Sequence, residues 1–229
     1  MTAVPKKSGK RSGAAGNLRA ERKAQTRALI LQCALDVFAE RGFDGASVRD
    51  IAGFAGVNHG LIRYHFGDKE GLWKAAVTFL FERLHEEMAA PGEEAGLPPL
   101  EATKAWIRRY VRYCARHPEH ARIMVQESIR DSGRLRWAIR RFIKPDNEQL
   151  QRRFQHLVKQ GVYPDIPHHS FNYIITAAAQ SMFMLANEMK YVYGIDVADE
   201  AVIDAHAEAI IKLFFDHRAG SAAVRSRKS

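Results

Sequence analysis

SVRDIAGFAGVNHGLIRYHFGDKEGLW, running from Ser47 to Trp73, is the stretch on which the reading of this chain turns. Ser47 stands where a helix N-cap belongs, and Asp50 follows as the acidic member of a capping box. Ile51, Ala52 and Ala55 give the helix that follows a short apolar face. Gly56 supplies a tight turn that brings the next helix in at a steep angle, and Val57 plugs the junction. Asn58 is a second N-cap. The helix it heads turns Ile62 and Phe66 inwards and leaves His59, Gly60, Arg63, Tyr64 and His65 on or near the outside. Asp68 caps a third helix. Two short helices joined by a glycine turn, the second polar on its outer face, is the helix-turn-helix arrangement that sets a helix in the major groove of DNA.

Outward from that stretch, helical periodicity appears in nearly every segment and convincing strand alternation in none, so the chain reads as all-α. Upstream, Leu18 to Arg41 repeats Leu29, Ile30, Cys33, Ala34, Val37 and Phe38 at helical spacing, and Gly42 ends it as a left-handed cap. Ser47 to Ala55, Asn58 to Phe66 and Asp68 to Met88 follow, the last with Trp73, Ala76, Val77, Leu80, Leu84 and Met88 as its buried stripe. Pro91 to Pro99 reads as a linker. Beyond it lie a helix from Leu100 to Arg116, a break at His117-Pro118, and a helix ending near Ser132-Gly133. A helix from Arg134 to Gln160 is bent at Pro145, Gly161 to Pro167 is a loop, and two last helices span His168 to Tyr193 and Asp199 to His217. The domains expected are a disordered basic arm (1–16), a DNA-binding domain (17–90, motif about 47–66), a linker (91–99), a second helical domain (100–217) and a basic tail (218–229).

The charge pattern agrees with a polyanionic partner. Of a formal net charge of +9 over 229 residues, the first 27 carry +7, from Lys6, Lys7, Lys10, Arg11, Arg19, Arg22, Lys23 and Arg27 against Glu21. Two cysteines, Cys33 and Cys114, offer neither a disulfide framework nor a zinc spacing. His117 with His120, and adjacent His168 and His169, lack the thiolates or His-Glu-x-x-His helix that would make metal ligands of them, so no metal or other cofactor is expected. The most apolar stretch, Tyr173 to Ala186, is too short and too interrupted to span a membrane, and a cytoplasmic location is the expectation. No phosphate-cradling loop, nucleophile elbow or triad supports an enzyme.

The residues Ile51-Ala52, Ala55-Gly56-Val57, Asn58, Gly60, Tyr64-His65-Phe66 and Lys69-Glu70 with Leu72 fall in the order and register of the TetR-family signature, which this chain resembles. The chain departs from it at Arg63, where the family most often carries a tyrosine. The resemblance implies a homodimer that binds palindromic double-stranded operator DNA, most often as a ligand-responsive repressor. His59, Gly60 and Leu61 would then approach base edges, with Leu61 against a thymine methyl. Ser47, Arg49, Tyr64, His65 and Lys69 would contact phosphates, and Val48 and Asn58 belong to the same surface. Arg63 would reach either a guanine edge or a phosphate.

For the second domain the resemblance implies an effector pocket and a dimer interface built from the last two helices. Pocket candidates are Trp106, Tyr110, Met124, Glu127, Trp137, Gln180 and Phe183, with Glu127 as the polar residue facing the cavity. Interface candidates are Met182, Leu185, Met189, His206, Ile210, Leu213 and Phe214. The effector is unknown. An activator or ligand-independent regulator is the alternative within transcription, and a non-specific nucleoid-type DNA binder is the alternative outside it.

Overall fold

Every regular element among the described residues is helical. The structure, a computed structural model, describes residues 11–94 and 96–216. Most of the expected basic arm and the whole of the expected tail therefore lie outside the described residues. The chain divides into two compact units, 1–77 and 78–229. The expected boundary was the Pro91–Pro99 linker; the division instead falls within a helix, whose Leu84 and Met88 pack on the core of the second unit.

The first unit holds α1 (Arg11–Gly45), α2 (Val48–Phe54), α3 (His59–Phe66) and the start of α4 (Lys69–Met88). α1 begins earlier than the expected Leu18, at Arg11. Gly42, φ +69, interrupts it where the left-handed cap was expected. Ile30, Leu31, Ala34, Leu35, Val37 and Phe38 of α1 are buried, as are Ile51, Ala52, Ile62, Leu72 and Trp73. Leu29, expected in the core, is exposed instead, because the buried face is carried by Leu31 and Leu35, further round the helix. At roughly 1.5–3 kcal/mol per fully buried large apolar side chain, this core is what holds the short α2 and α3, which are marginal alone.

The second unit contains the end of α4, then α5 (Pro99–Arg116), α6 (Pro118–Ile129), α7 (Gly133–Ala138), α8 (Lys144–Lys159), α9 (His168–Met184), α10 (Ala186–Tyr193) and α11 (Glu200–Ile211). α5 is central and packs against both α9 and α11. Its Ile107, Val111 and Cys114 join Phe154, Phe171, Ile175, Phe183, Ile203, Ala207 and Ile210 in one core. The break expected at His117-Pro118 is present, and Pro118 opens α6. The single helix expected over Arg134–Gln160 is instead α7, a π-helical segment at Ile139–Ile143, and α8 with Pro145 in its first turn. Proline has no N–H for the carbonyl one turn back and crowds it, and the wider π-turn just upstream accommodates this. The helix expected over His168–Tyr193 likewise parts at Leu185, whose φ −102, ψ 32 is non-helical.

Candidate functional site

Asn58 holds the start of α3: its Oδ1 accepts the Gly60 N–H at 2.8 Å. Gly56, in the turn before it, has φ +63, which a side chain at that position would strain. From this anchor α3 buries Ile62 and half-buries Leu61, and presents His59 and Arg63, one turn apart, on its exposed face. Tyr64 is 79% exposed and meets the His65 ring edge-on at 5.1 Å. Phe66 is half-buried beneath the Arg27 guanidinium, 5.7 Å from its ring centroid.

Ser47 caps α2 as anticipated, accepting the Arg49 N–H at 3.2 Å. The capping box is not formed. Asp50 does not reach back to the Ser47 backbone, because Arg41 Nη1 on α1 takes its carboxylate at 2.8 Å. Glu70 is likewise paired, with Lys74 at 2.7 Å. Asp50 and Glu70 are thus each paired with a cation, while the exposed side chains of Arg49 and Arg63 make no ion pair or hydrogen bond among the described residues. Val48 is half-buried beside Arg49. Lys69 is more constrained than a free phosphate ligand: its Nζ donates to the Asp44 carbonyl at 3.2 Å and lies 4.6 Å from the centre of the Phe43 ring.

Sequence reasoning missed Gly71. A Cβ there would sit 2.1 Å from the Phe66 carbonyl oxygen, so only glycine allows α4 to follow α3 this closely. Asp68, whose Oδ1 accepts the Gly71 N–H at 2.7 Å, is the α4 cap that was anticipated.

In the second unit the seven pocket candidates do not converge. Two concavities are present there, one of about 440 Å³ beside the end of α4, α5 and α8, and a smaller one of about 60 Å³ between α5, α8 and α9. Of the candidates only Trp106 borders either of them. Trp106 stacks on Tyr110 at 5.2 Å, and the Tyr110 hydroxyl accepts from Gln180 Nε2 at 2.6 Å. Phe183 is core, Met124 is half-buried, and Trp137 lies edge-on to Phe142. Glu127, expected to face the cavity, is 2% exposed and accepts hydrogen bonds from Ser132 Oγ and Arg134 Nε. An ion pair with the arginine just beyond its own helix explains a buried carboxylate there without any ligand.

The interface candidates separate into two groups. Leu185 and Leu213 are exposed, but Ile210 is 3% exposed and belongs to the core of its own chain. Met182 and Phe214 are half-buried against that core, Met189 is half-buried, and His206 Nε2 lies 2.9 Å from the Ala178 carbonyl. Ile210 is drawn inwards because α11 packs its Ile203–Ala207–Ile210 face on α5 and α9. The exposed face of this helix pair is carried instead by Tyr173, 73% exposed, with Ile174 and Leu185 on α9 and at its end, and Leu213 just beyond α11.

His117 and His120 enter a polar network rather than a metal site. Arg83 Nη2 donates to Glu119 at 2.6 Å, His117 Nε2 lies 2.7 Å from Glu87, and His120 Nδ1 lies 2.8 Å from the Tyr113 hydroxyl. Burial pushes the His120 imidazole down to about 3. Among the described residues no group of three or more His, Cys, Asp or Glu is placed to hold a metal ion, and no helix is long and apolar enough to cross a membrane.

The family profile described as bacterial regulatory proteins of the tetR family matches residues 30–76, and that of the tetracyclin repressor-like C-terminal domain matches residues 99–213. The HTH-type transcriptional regulator RutR of Escherichia coli K12 is 26% identical over 211 residues, which are 92% of this chain and 95% of RutR. The HTH-type transcriptional repressor Rv3405c of Mycobacterium tuberculosis H37Rv is 46% identical over 72 residues, 30% of this chain and 38% of that protein. A linker-substituted mutant of the regulator HlyIIR superposes with a TM-score of 0.60 at 26% identity, covering 85% of this chain and 99% of that one. The fatty acid degradation regulator FadR from Bacillus halodurans, at TM-score 0.59 and 19% identity over 81% of this chain and 94% of its own, shares the fold.

Proposed function

Because the chain belongs to the TetR family of bacterial helix-turn-helix transcriptional regulators, we propose that it is a repressor that binds a palindromic operator as a homodimer and is released by a small effector. The observation that carries this reading is the outer face of α3. Arg63 and His59 project from a helix capped at Asn58, with Asp50 and Glu70 nearby already paired with Arg41 and Lys74. In the proposed docking His59, Gly60 and Leu61 approach base edges, and Ser47, Arg49, Tyr64 and His65 contact phosphates around them. Lys69 directs one N–H to the Asp44 carbonyl and has others for a phosphate oxygen.

Dimerisation is supported by the exposed apolar face of α9 with α11. Ile174, Ala177, Ser181 and Leu185 follow one another at helical spacing, and Ala205, Ala209 and Leu213 do the same. Small residues interleaved with leucines let two helix pairs approach closely. Two recognition helices would then enter successive major grooves about 34–36 Å apart. An effector that prefers a dimer with a different spacing shifts the population away from the DNA-bound form.

The test is footprinting on the DNA flanking the gene, with fluorescence anisotropy on the protected fragment in the presence of random competitor DNA. A two-fold symmetric footprint that survives competition at physiological salt is expected. Equal competition by random DNA would replace this reading with non-specific nucleoid-type binding. Loss of neighbouring transcription in a deletion strain would make the protein an activator.

A further inference from the structure

The two concavities of the second unit share Trp106, Arg153 and Leu157, so they are neighbouring chambers of one recess. The smaller chamber is walled by rings. Phe154 lies 5.4 Å from Tyr163 and 5.0 Å from Phe171, and Tyr163 lies 4.5 Å from Phe171, all tilted rather than parallel, with Trp106 on the α5 side. Tilted rings at these separations present both edges and faces, which suits a planar aromatic guest.

The polar groups at this wall are few and keep hydrogen-bonding capacity. The Tyr163 hydroxyl lies 3.4 Å from Thr103 Oγ1, whose one proton goes to the Pro99 carbonyl at 2.9 Å, and it keeps an oxygen lone pair to accept. Burial pushes the Tyr163 phenol above its ordinary range, while the Thr103 bond and the nearby Arg153 charge pull it down. The phenol therefore stays protonated, and the guanidinium lies close to it. The side-chain amide of Asn172, also on this wall, has no hydrogen-bond partner among the described residues.

The charge balance is one-sided. The larger chamber is lined by Arg109, Arg153 and His156 against a single acid, Glu94, and Glu94 is already bound to Arg109. Arg153, which borders both chambers, makes no ion pair or hydrogen bond among the described residues. An unneutralised guanidinium beside an aromatic wall is a fork for a carboxylate whose ring lies against that wall. The larger chamber, at about 440 Å³, is within the usual range for small-molecule sites.

We propose that this recess binds a small aromatic carboxylate, with the carboxylate on Arg153, the ring against Trp106, Phe154, Tyr163 and Phe171, and a ring hydroxyl hydrogen-bonded by the Asn172 amide. The assignment rests on reading the second unit as effector-binding and names the chemistry it selects.

The test is calorimetric titration of the full chain with benzoate and hydroxybenzoates, with their neutral amides, with cyclohexanecarboxylate and with hexanoate. The aromatic acids should bind at least about tenfold more tightly than the amides or the non-aromatic acids. Arg153→Ala, at an exposed position, should keep the fold, lower that affinity about tenfold or more and erase the acid-over-amide preference. Arg152→Ala, beside it but outside the recess, should leave both unchanged. Asn172→Leu should remove the preference for the hydroxybenzoates over benzoate. No binding of any aromatic acid at millimolar concentration, binding indifferent to Arg153, or tighter binding of hexanoate would each overturn the proposal. None of these readouts needs DNA. If aromatic acids bind as expected but leave the anisotropy of the protected DNA fragment unchanged, the site stands and the effector-released mechanism fails.

Discussion

Arg63 is where this chain departs from the common family pattern. It lies one turn after His59 on an exposed helix face and has no partner of its own among the described residues. If it reads a guanine edge bidentately, Arg63→Lys keeps the charge but loses the planar fork, costing roughly 1–3 kcal/mol at one symmetric pair of operator positions. Anisotropy against single-base operator variants should show preference relaxed at that pair alone; uniform weakening across all variants assigns Arg63 to the phosphates. Gly71 poses a different single-residue demand. Gly71→Ala drives a methyl group onto the Phe66 carbonyl oxygen, 2.1 Å from where its Cβ would sit. The expected loss is about 1–3 kcal/mol, by analogy with overpacked cores, and is read from the chemical denaturation midpoint. A midpoint unchanged within error would show that the α3–α4 corner relaxes freely. Asn58, Gly56 and Asp68 were legible in the sequence because capping and turn chemistry act within a few residues. Gly71 and the Arg41–Asp50 pair were not, because each depends on atoms brought up from a different helix.

At the scale of elements, periodicity reveals that a helix has an apolar face but not what covers it. Ile210 and Leu213 sit three residues apart on one expected stripe, yet the first is 3% and the second 67% exposed. Leu213→Glu should therefore leave a folded chain that light scattering finds monomeric, while Ile210→Glu buries a charge at a cost of several kcal/mol and lowers the cooperative melting transition. A dimer that persists in Leu213→Glu would remove this face from the interface. The breaks at Leu185 and before Pro145 were only partly legible: proline announces that a helix must adjust, not where the adjustment falls. The network joining α4, α5 and α6 was not legible, since it is a matter of tertiary packing. It predicts acid lability. The His120 imidazole takes up a proton near pH 6.5 when unfolded but only near 3 when folded. Between those values the unfolded state binds more protons, so stability falls as pH falls. Glu119 acts in the same sense at lower pH. Burial would raise its pKa, but its bonds to His117 and its own backbone and the Arg83 charge hold it below the ordinary range. His120→Gln should flatten the dependence of the urea midpoint on pH between about 6.5 and 4; an unchanged slope would show that His120 is not its source.

The whole molecule carries +9, and +7 of that falls in its first 27 residues. In the proposed docking the helix-turn-helix alone accounts for sequence reading. A run of cations directly ahead of it adds attraction to any phosphate backbone, which is independent of sequence and screened by salt. The all-α class, the position of the recognition helix and the charge asymmetry were legible because each is written in local composition and spacing. The recess around Arg153 was not, because it is walled only where α5, distant in sequence, packs against the consecutive α8, Tyr163 loop and α9. The arm gives the last test, and one that separates its role from that of α3. Deleting residues 2–16 removes Lys6, Lys7, Lys10 and Arg11 and leaves α2 and α3 intact. Every phosphate that is no longer neutralised by an arm cation should reduce the slope of log affinity against log salt by about 0.9. The truncated protein should thus bind operator and random DNA more weakly by the same factor at low salt, converge on the full-length protein as salt rises, and keep its ratio of specific to non-specific affinity. A fall in that ratio would mean that the arm reads bases, as the minor-groove arms of other helix-turn-helix proteins do. An unchanged salt slope would mean that it touches no phosphate at all.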